Sequence, residues 1–293
     1  MTQSADIPLA EGVALVHGPG GRACVKIATP LVDALVSLHG GQLLAFQAKG
    51  RGPLLWLSPA AHFKAGVAIR GGVPLCWPWF GPWRGEGAQP QHGFARLRDW
   101  TVLGATAQAD GGVRLALGFD DDLETRQIWP HAFRLRLDLR LDAQLSLELS
   151  VHNPGPDAWA WSGAMHPYLR TPDLSRCRLR GWQGLEFRHN PDQSRGHDQA
   201  LELPLGQALD RTYFKAPDRC ALVDEAGRPL VQVEKWGAQD GVVWTPGPSP
   251  AKSPADLPPE LWREFVCVEA LNGADGVVLQ AGETAKLGMR FIQ

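Results

Sequence analysis

Between Phe133 and Val151 every odd position is apolar (Phe133, Leu135, Leu137, Leu139, Leu141, Ala143, Leu145, Leu147, Leu149, Val151), and every even position is polar. A two-residue period sustained this long excludes a helix, whose apolar stripe returns every three to four residues. It requires strands with one face against a core and the other in water. Strands are usually no longer than ~10 residues, so the run must fold back on itself. Asp142-Ala143-Gln144 is the expected turn of a hairpin.

The same alternation recurs at Val113, Leu115, Leu117 and Phe119. Shorter β-like runs occupy Ala23–Thr29, Val32–Leu38, Leu43–Ala48 and Leu230–Val233, and no segment carries a long helical stripe. The 33 glycines and 24 prolines, about a fifth of the 293 residues, punctuate these runs. The expected fold class is therefore all-β, a single large antiparallel sandwich domain spanning 1–293. The proline-rich run Trp244–Pro259 could be a linker, but too little chain follows it for a second core. It is expected as a surface loop with one helical turn, leading into a central strand REFVCVEAL.

With 29 Lys and Arg against 31 Asp and Glu, and no basic run, the chain carries no footprint of a nucleic-acid or membrane-surface binder. The start MTQSADIPLAEG has neither a basic nor an apolar leader region, and no apolar stretch approaches a membrane span. A soluble cytoplasmic protein is expected, as a monomer or weak dimer. Cys24, Cys76, Cys177, Cys220 and Cys267 are odd in number and widely spaced, which fits neither a disulfide framework nor a zinc site. They are expected as buried thiols. Phosphate-loop, dinucleotide, nucleophile-elbow and zinc-protease motifs are absent.

What remains are ionisable residues in apolar β contexts. Glu269 lies in Phe265-Val266-Cys267-Val268-Glu269-Ala270-Leu271, apolar on both alternating faces. A buried carboxylate is costly unless paired, so Glu269 either meets an arginine at a strand end or serves as a general base. His166, within SGAMHPYL, is either a hydrogen-bonded core histidine or a proton donor. In HGFAR a strand would put His92, Phe94 and Arg96 on one side, so that His92 and Arg96 could hold the two ends of a small anion. Arg70, in IRGGVPLCWPWFGPW, precedes paired glycines that would let backbone amides approach a ligand, with three tryptophans as flat walls for a sugar. A Trp/Pro-rich core corner is the alternative for that segment.

Together, IRGGVPLCWPWFGPW, QHGFARLRDW, SGAMHPYLR, LDRTYF, VVWTPG and REFVCVEA resemble the hexose-6-phosphate mutarotases (glucose-6-phosphate 1-epimerases) of the aldose 1-epimerase, galactose-mutarotase-like superfamily. The resemblance runs from about residue 38 to the C-terminus. It implies a β-supersandwich with its site in a cleft on one face and a small sugar phosphate as substrate. It implies no metal, redox or nucleotide cofactor. By motif, His166 resembles the general acid and Glu269 the general base. His92, Asp210 of LDRTYF and Trp244 of VVWTPG resemble residues that contact the sugar, while Arg70 and Arg96 resemble phosphate ligands. A mutarotase for neutral aldoses and a non-catalytic sugar-binding sandwich are the competing readings. The chain departs from the family at Trp244-Thr245-Pro246-Gly247, where many relatives have WNPW, and between Arg180 and Leu203.

Overall fold

The alternating run folds as a hairpin. Arg134–Leu141 pairs with Leu145–His152, closing at the Leu141–Leu145 pair. Phe133 and every later odd residue to Val151 is buried except Ala143, which is exposed at the turn. The structure is a computed structural model that describes residues 9–249 and 254–293. The hairpin sits within a nine-stranded antiparallel sheet. From edge to edge this sheet runs 203–204, 178–180, 219–223, 229–236, 284–292, 145–152, 134–141, 113–120 and 101–107.

An eight-stranded sheet follows the order 195–197, 186–189, 209–213, 240–245, 265–279, 159–165 and 75–76, with Tyr168–Arg170 also paired to Phe265–Leu279. A four-stranded meander, Val13–His17, Ala23–Ala28, Val32–Ser37 and Gln42–Ala48, precedes them. One cluster of buried apolar side chains runs through all three sheets. The fold is all-β and antiparallel, and the five cysteines are buried free thiols. No helix among the described residues is long and apolar enough to cross a membrane.

The strand Phe265–Leu279 is central, hydrogen-bonded on both sides. Val266, Val268 and Ala270 face the inter-sheet core. Phe265, Cys267 and Leu271 point the other way, into smaller apolar clusters under the opposite face. Glu269 shares that second face. The proline-rich run begins as the end of the strand Asp240–Thr245 and leads into a 3-10 turn at Pro259–Glu264, while residues 250–253 lie outside the described residues.

Two local expectations are corrected. HGFAR is not a strand: His92 and Gly93 are left-handed (φ 64° and 72°), and Ala95–Leu97 forms a 3-10 turn. A Cβ on Gly93 would lie 2.0 Å from the Trp77 carbonyl oxygen, so this tight turn requires glycine. His92 and Arg96 thus share a turn, not a strand face. Of the paired glycines Gly71 and Gly72, the second does not offer its amide to a ligand either. Cβ atoms there would meet Leu57 Cα at 2.5 Å and the Leu43 oxygen at 2.2 Å, and the Gly72 N–H donates to Trp56 O. These glycines let backbones approach each other. Trp77 is wholly buried against Phe94, Trp129 and Phe133, so for Trp77 and Trp79 the core-corner reading holds.

Candidate active site

Directly paired residues in an antiparallel sheet point to the same side, so the register of the eight-stranded sheet generates the site. One row reads Arg188, Thr212, Val242, Glu269, and the pairing that joins Met165 to Ala270 and Tyr168 to Cys267 brings His166 to its end. The adjacent row on the same face reads Asn190, Asp210, Trp244, Cys267, Tyr168. Loops carrying Arg70 and the segment 80–96 wall in this floor. The resulting cleft has a volume of about 760 Å³ and is lined by all seven residues singled out in the sequence: Arg70, His92, Arg96, His166, Asp210, Trp244 and Glu269. That volume suits a small molecule.

His166 follows directly on the strand Trp159–Met165 and precedes Pro167, and its N–H donates to Pro74 O at 3.0 Å. The ring stacks on Tyr168 (centroids 5.1 Å apart, planes 19° apart), and its Nε2 lies 3.2 Å from Glu269 Oε1. Glu269 is 1% exposed and has no arginine partner among the described residues, so its contact is this histidine. Burial, reinforced by the charge of Asp210, pushes the Glu269 carboxyl well above its ordinary range. Burial and then the Arg96 charge hold the His166 imidazole down to about 3. Burial thus favours the neutral form of each group, with the proton they share on the carboxyl. Their remaining polar atoms, His166 Nδ1 and Glu269 Oε2, are buried without a protein partner.

Cations surround this pair. Arg70 is anchored: its Nε donates to Asp256 Oδ1 at 3.0 Å and its Nη1 to the Tyr168 hydroxyl at 3.1 Å. Arg96 donates once, from Nη2 to Gln91 O, and its buried Nε has no partner. Arg84 and Arg188 also line the cleft. His92 Nδ1 accepts from the Gly81 N–H at 3.1 Å, and burial followed by the Arg96 charge pushes its pKa down. Its neutral ring consequently carries its proton on Nε2, as a hydrogen-bond donor, 6.2 Å centroid to centroid from His166.

Asp210 is fixed by Asn190, whose Nδ2 donates to Oδ1 at 2.7 Å, while Thr212 Oγ1 donates to Asn190 Oδ1. Burial raises the Asp210 carboxyl above its ordinary range. Sequence reasoning missed Tyr168, Asn190, Arg84 and Arg188. Tyr168 sits within MHPYL and was visible as a neighbour of His166, whereas Asn190 and Arg188 lie in the segment that departs from the family pattern. No group of three or more His, Cys, Asp or Glu placed to hold a metal occurs among the described residues.

Residues 23–291 match the family described as aldose 1-epimerase. The chain is 35% identical over 249 residues to an Escherichia coli K12 protein named "Putative glucose-6-phosphate 1-epimerase", covering 84% of this chain and 82% of that one. A Salmonella typhimurium LT2 protein of the same name is 34% identical over 245 residues, covering 83% and 80%. Among solved structures, one titled as a "putative mutarotase" from Salmonella typhimurium superposes with a TM-score of 0.86 at 27% identity, over 96% of both chains. A galactose mutarotase related enzyme from Lactobacillus acidophilus shares the fold at 17% identity, with a TM-score of 0.69 over 92% of this chain and 96% of that one.

Proposed function

The chain belongs to the aldose 1-epimerase family and is an isomerase of aldose anomers, and from that premise we propose that its substrate is an aldohexose 6-phosphate such as glucose 6-phosphate. The observation that carries the proposal is the composition of the cleft. A His166–Glu269 pair 3.2 Å apart shares it with Arg70, Arg84 and Arg96, of which Arg84 and Arg96 have no carboxylate partner among the described residues. Guanidinium groups suit phosphate through paired, charge-assisted donors. A neutral sugar offers nothing to balance them.

Anomers exchange by ring opening. With the shared proton on His166, Glu269 takes the proton of the C1 hydroxyl while His166 gives its own to the ring oxygen. The C1–O5 bond breaks and an aldehyde forms, leaving a neutral carboxyl and a neutral imidazole. That is the pairing burial favours, so the open-chain state is electrostatically matched. C1 then rotates, the O5 hydroxyl returns its proton to His166 as it attacks the other carbonyl face, and Glu269 reprotonates O1. Each proton transfer conserves the single proton of the pair. C6 is attached next to the ring oxygen, so a 6-phosphate falls on the His166 side. Arg70 lies on that side through Tyr168. The positive charges of Arg96 and Arg70 depress His166. Phosphate bound to them cancels that field and favours moving the proton from Glu269 to His166.

The test is anomer exchange followed by NMR magnetisation transfer, with glucose 6-phosphate, galactose 6-phosphate and free glucose at matched concentrations. Catalysed exchange of a phosphate ester well above that of glucose is expected. Equal exchange of glucose overturns the phosphate assignment in favour of a neutral-aldose mutarotase, and no exchange of any sugar leaves a sugar-binding sandwich.

A further inference from the structure

The cleft edge farthest from His166 holds a cation that the ring-opening steps do not use. Arg188 lines the cleft from the strand Glu186–His189. The other arginines on the neighbouring strands are neutralised: Arg195 by Glu186 and Arg211 by Asp198. Arg188 has no carboxylate partner among the described residues. Its Nε is buried without a hydrogen bond, and its guanidinium carbon lies 5.7 Å from the centroid of the Phe214 ring. Leaving a charged donor so is costly unless a ligand completes it.

The register sets how far that ligand must reach. Arg188 stands three strands from Glu269 in the same row, about 14 Å at ~4.8 Å per strand. It is the diagonal neighbour of Asp210, whose row is next to its own, a separation of ~7–8 Å. We propose that Arg188 and Asp210 form a donor–acceptor clamp on two adjacent hydroxyls at the C2–C3 edge of the pyranose and so set which sugar is accepted. The inference rests on the mutarotase reading above. Moving across the sheet from His166 through Glu269 to Asp210 and Arg188 follows the ring from O5 through C1 to C2 and C3. A vicinal diol supplies a hydrogen to the carboxylate and a lone pair to the guanidinium. A second acidic substituent at this edge would meet the Asp210 charge, which Asn190 holds in place.

The experiment compares kcat/KM for glucose 6-phosphate and its 2-deoxy and 3-deoxy analogues in the wild-type protein, Arg188→Ala and Arg188→Lys. Loss of a hydrogen bond to a charged partner corresponds to about 10- to 100-fold. The wild-type protein should therefore disfavour at least one deoxy analogue by that factor. Arg188→Ala should lower the parent sugar by the same factor while leaving that analogue within about twofold, and Arg188→Lys should recover part of the loss. Wild-type indifference to both analogues overturns the clamp. So does an Arg188→Ala that slows all three sugars equally or none. If the wild-type protein exchanges glucose rather than its 6-phosphate, the phosphate reading fails by itself, and the same comparison run on glucose and its deoxy forms still decides the clamp.

Discussion

A proton on Glu269 and none on His166 is the opposite of what free side chains would show at mild acidity, and that inversion can be measured. An imidazole with the ordinary value of 6.5 is about 97% protonated at pH 5, whereas one held at about 3 is about 1% protonated. Protein carrying 13C-labelled histidine, titrated by NMR from pH 8 to 4.5, should therefore show the His166 ring resonances staying those of a neutral imidazole throughout. The same placement predicts the rate profile. Gain of a second proton by the pair waits until the depressed His166 value, and loss of its one proton waits until the raised Glu269 value. Hence kcat/KM should lack an acid limb near 6.5 beyond the step at ~6 contributed by the phosphate ester itself, which a neutral-sugar control removes. Macroscopic limbs belong to the pair, not to either residue. Glu269→Gln keeps an uncharged group of similar shape in a site where the carboxyl is already neutral, so fold and phosphate binding should survive. Exchange should fall by about 10²–10⁴-fold, or ~3–5 kcal/mol. A His166 ring titrating near 6.5 refutes the resting proton placement. Near-wild-type exchange by Glu269→Gln refutes its role as base and makes His92 the next candidate.

The same pair shapes stability against pH, provided the sign is taken for each group. His166 is depressed, so its contribution is complete above 6.5 and is lost as pH falls toward about 3, while Glu269 is raised from 4.5, so its contribution is complete below 4.5 and is lost as pH rises through its folded value. Between 4.5 and 6.5 the folded and unfolded pairs each hold one proton and the slopes cancel. Urea denaturation should then show this pair costing ~1.4 kcal/mol per pH unit only below 4.5 and above 6.5, and Glu269→Gln should abolish the alkaline loss; a Glu269→Gln curve parallel to wild type above 6.5 would sink this. Arg70→Ala and Arg96→Ala should each raise KM for the 6-phosphate about 10- to 100-fold with little change for a neutral sugar. Arg70→Ala should also melt lower than Arg96→Ala, because it strands Asp256 and the Tyr168 hydroxyl; equal KM effects on both sugars would make the arginines structural. The Glu269→Gln, His166→Ala double variant should be scarcely slower than the worse single one, since acid and base serve one step, and multiplicative losses in the exchange rate would contradict that.

The features legible in the sequence share a physical property: each announces itself within a few residues. The period of two from Phe133 to Val151 follows from pleat geometry, and Ala143 breaks it where the hairpin turns. Glu269 stood out because a carboxylate within an apolar strand is anomalous at any register, as did His166 beside Met165 and Pro167. The misread stretches depended on distant chain. Gly71 and Gly72 look like a ligand cradle until Leu43 and Trp56 are seen pressed against them, and HGFAR looks like strand until the Trp77 carbonyl is found where a Gly93 side chain would sit.

Arg188 is the extreme case, since its position opposite Glu269 exists only through three successive strand pairings that join residues 188, 212, 242 and 269. No local pattern encodes such a row, and propensity says nothing about which of several arginines in one segment will face inward. What separates them is the partner each finds: Glu202, Glu186 and Asp198 take up Arg180, Arg195 and Arg211. Four of the unpaired buried polar atoms, on Arg96, His166, Arg188 and Glu269, belong to residues of one cleft. A fold that satisfies most of its buried polar groups elsewhere and leaves these turned toward the same space bears their desolvation cost where a polar ligand can offset it.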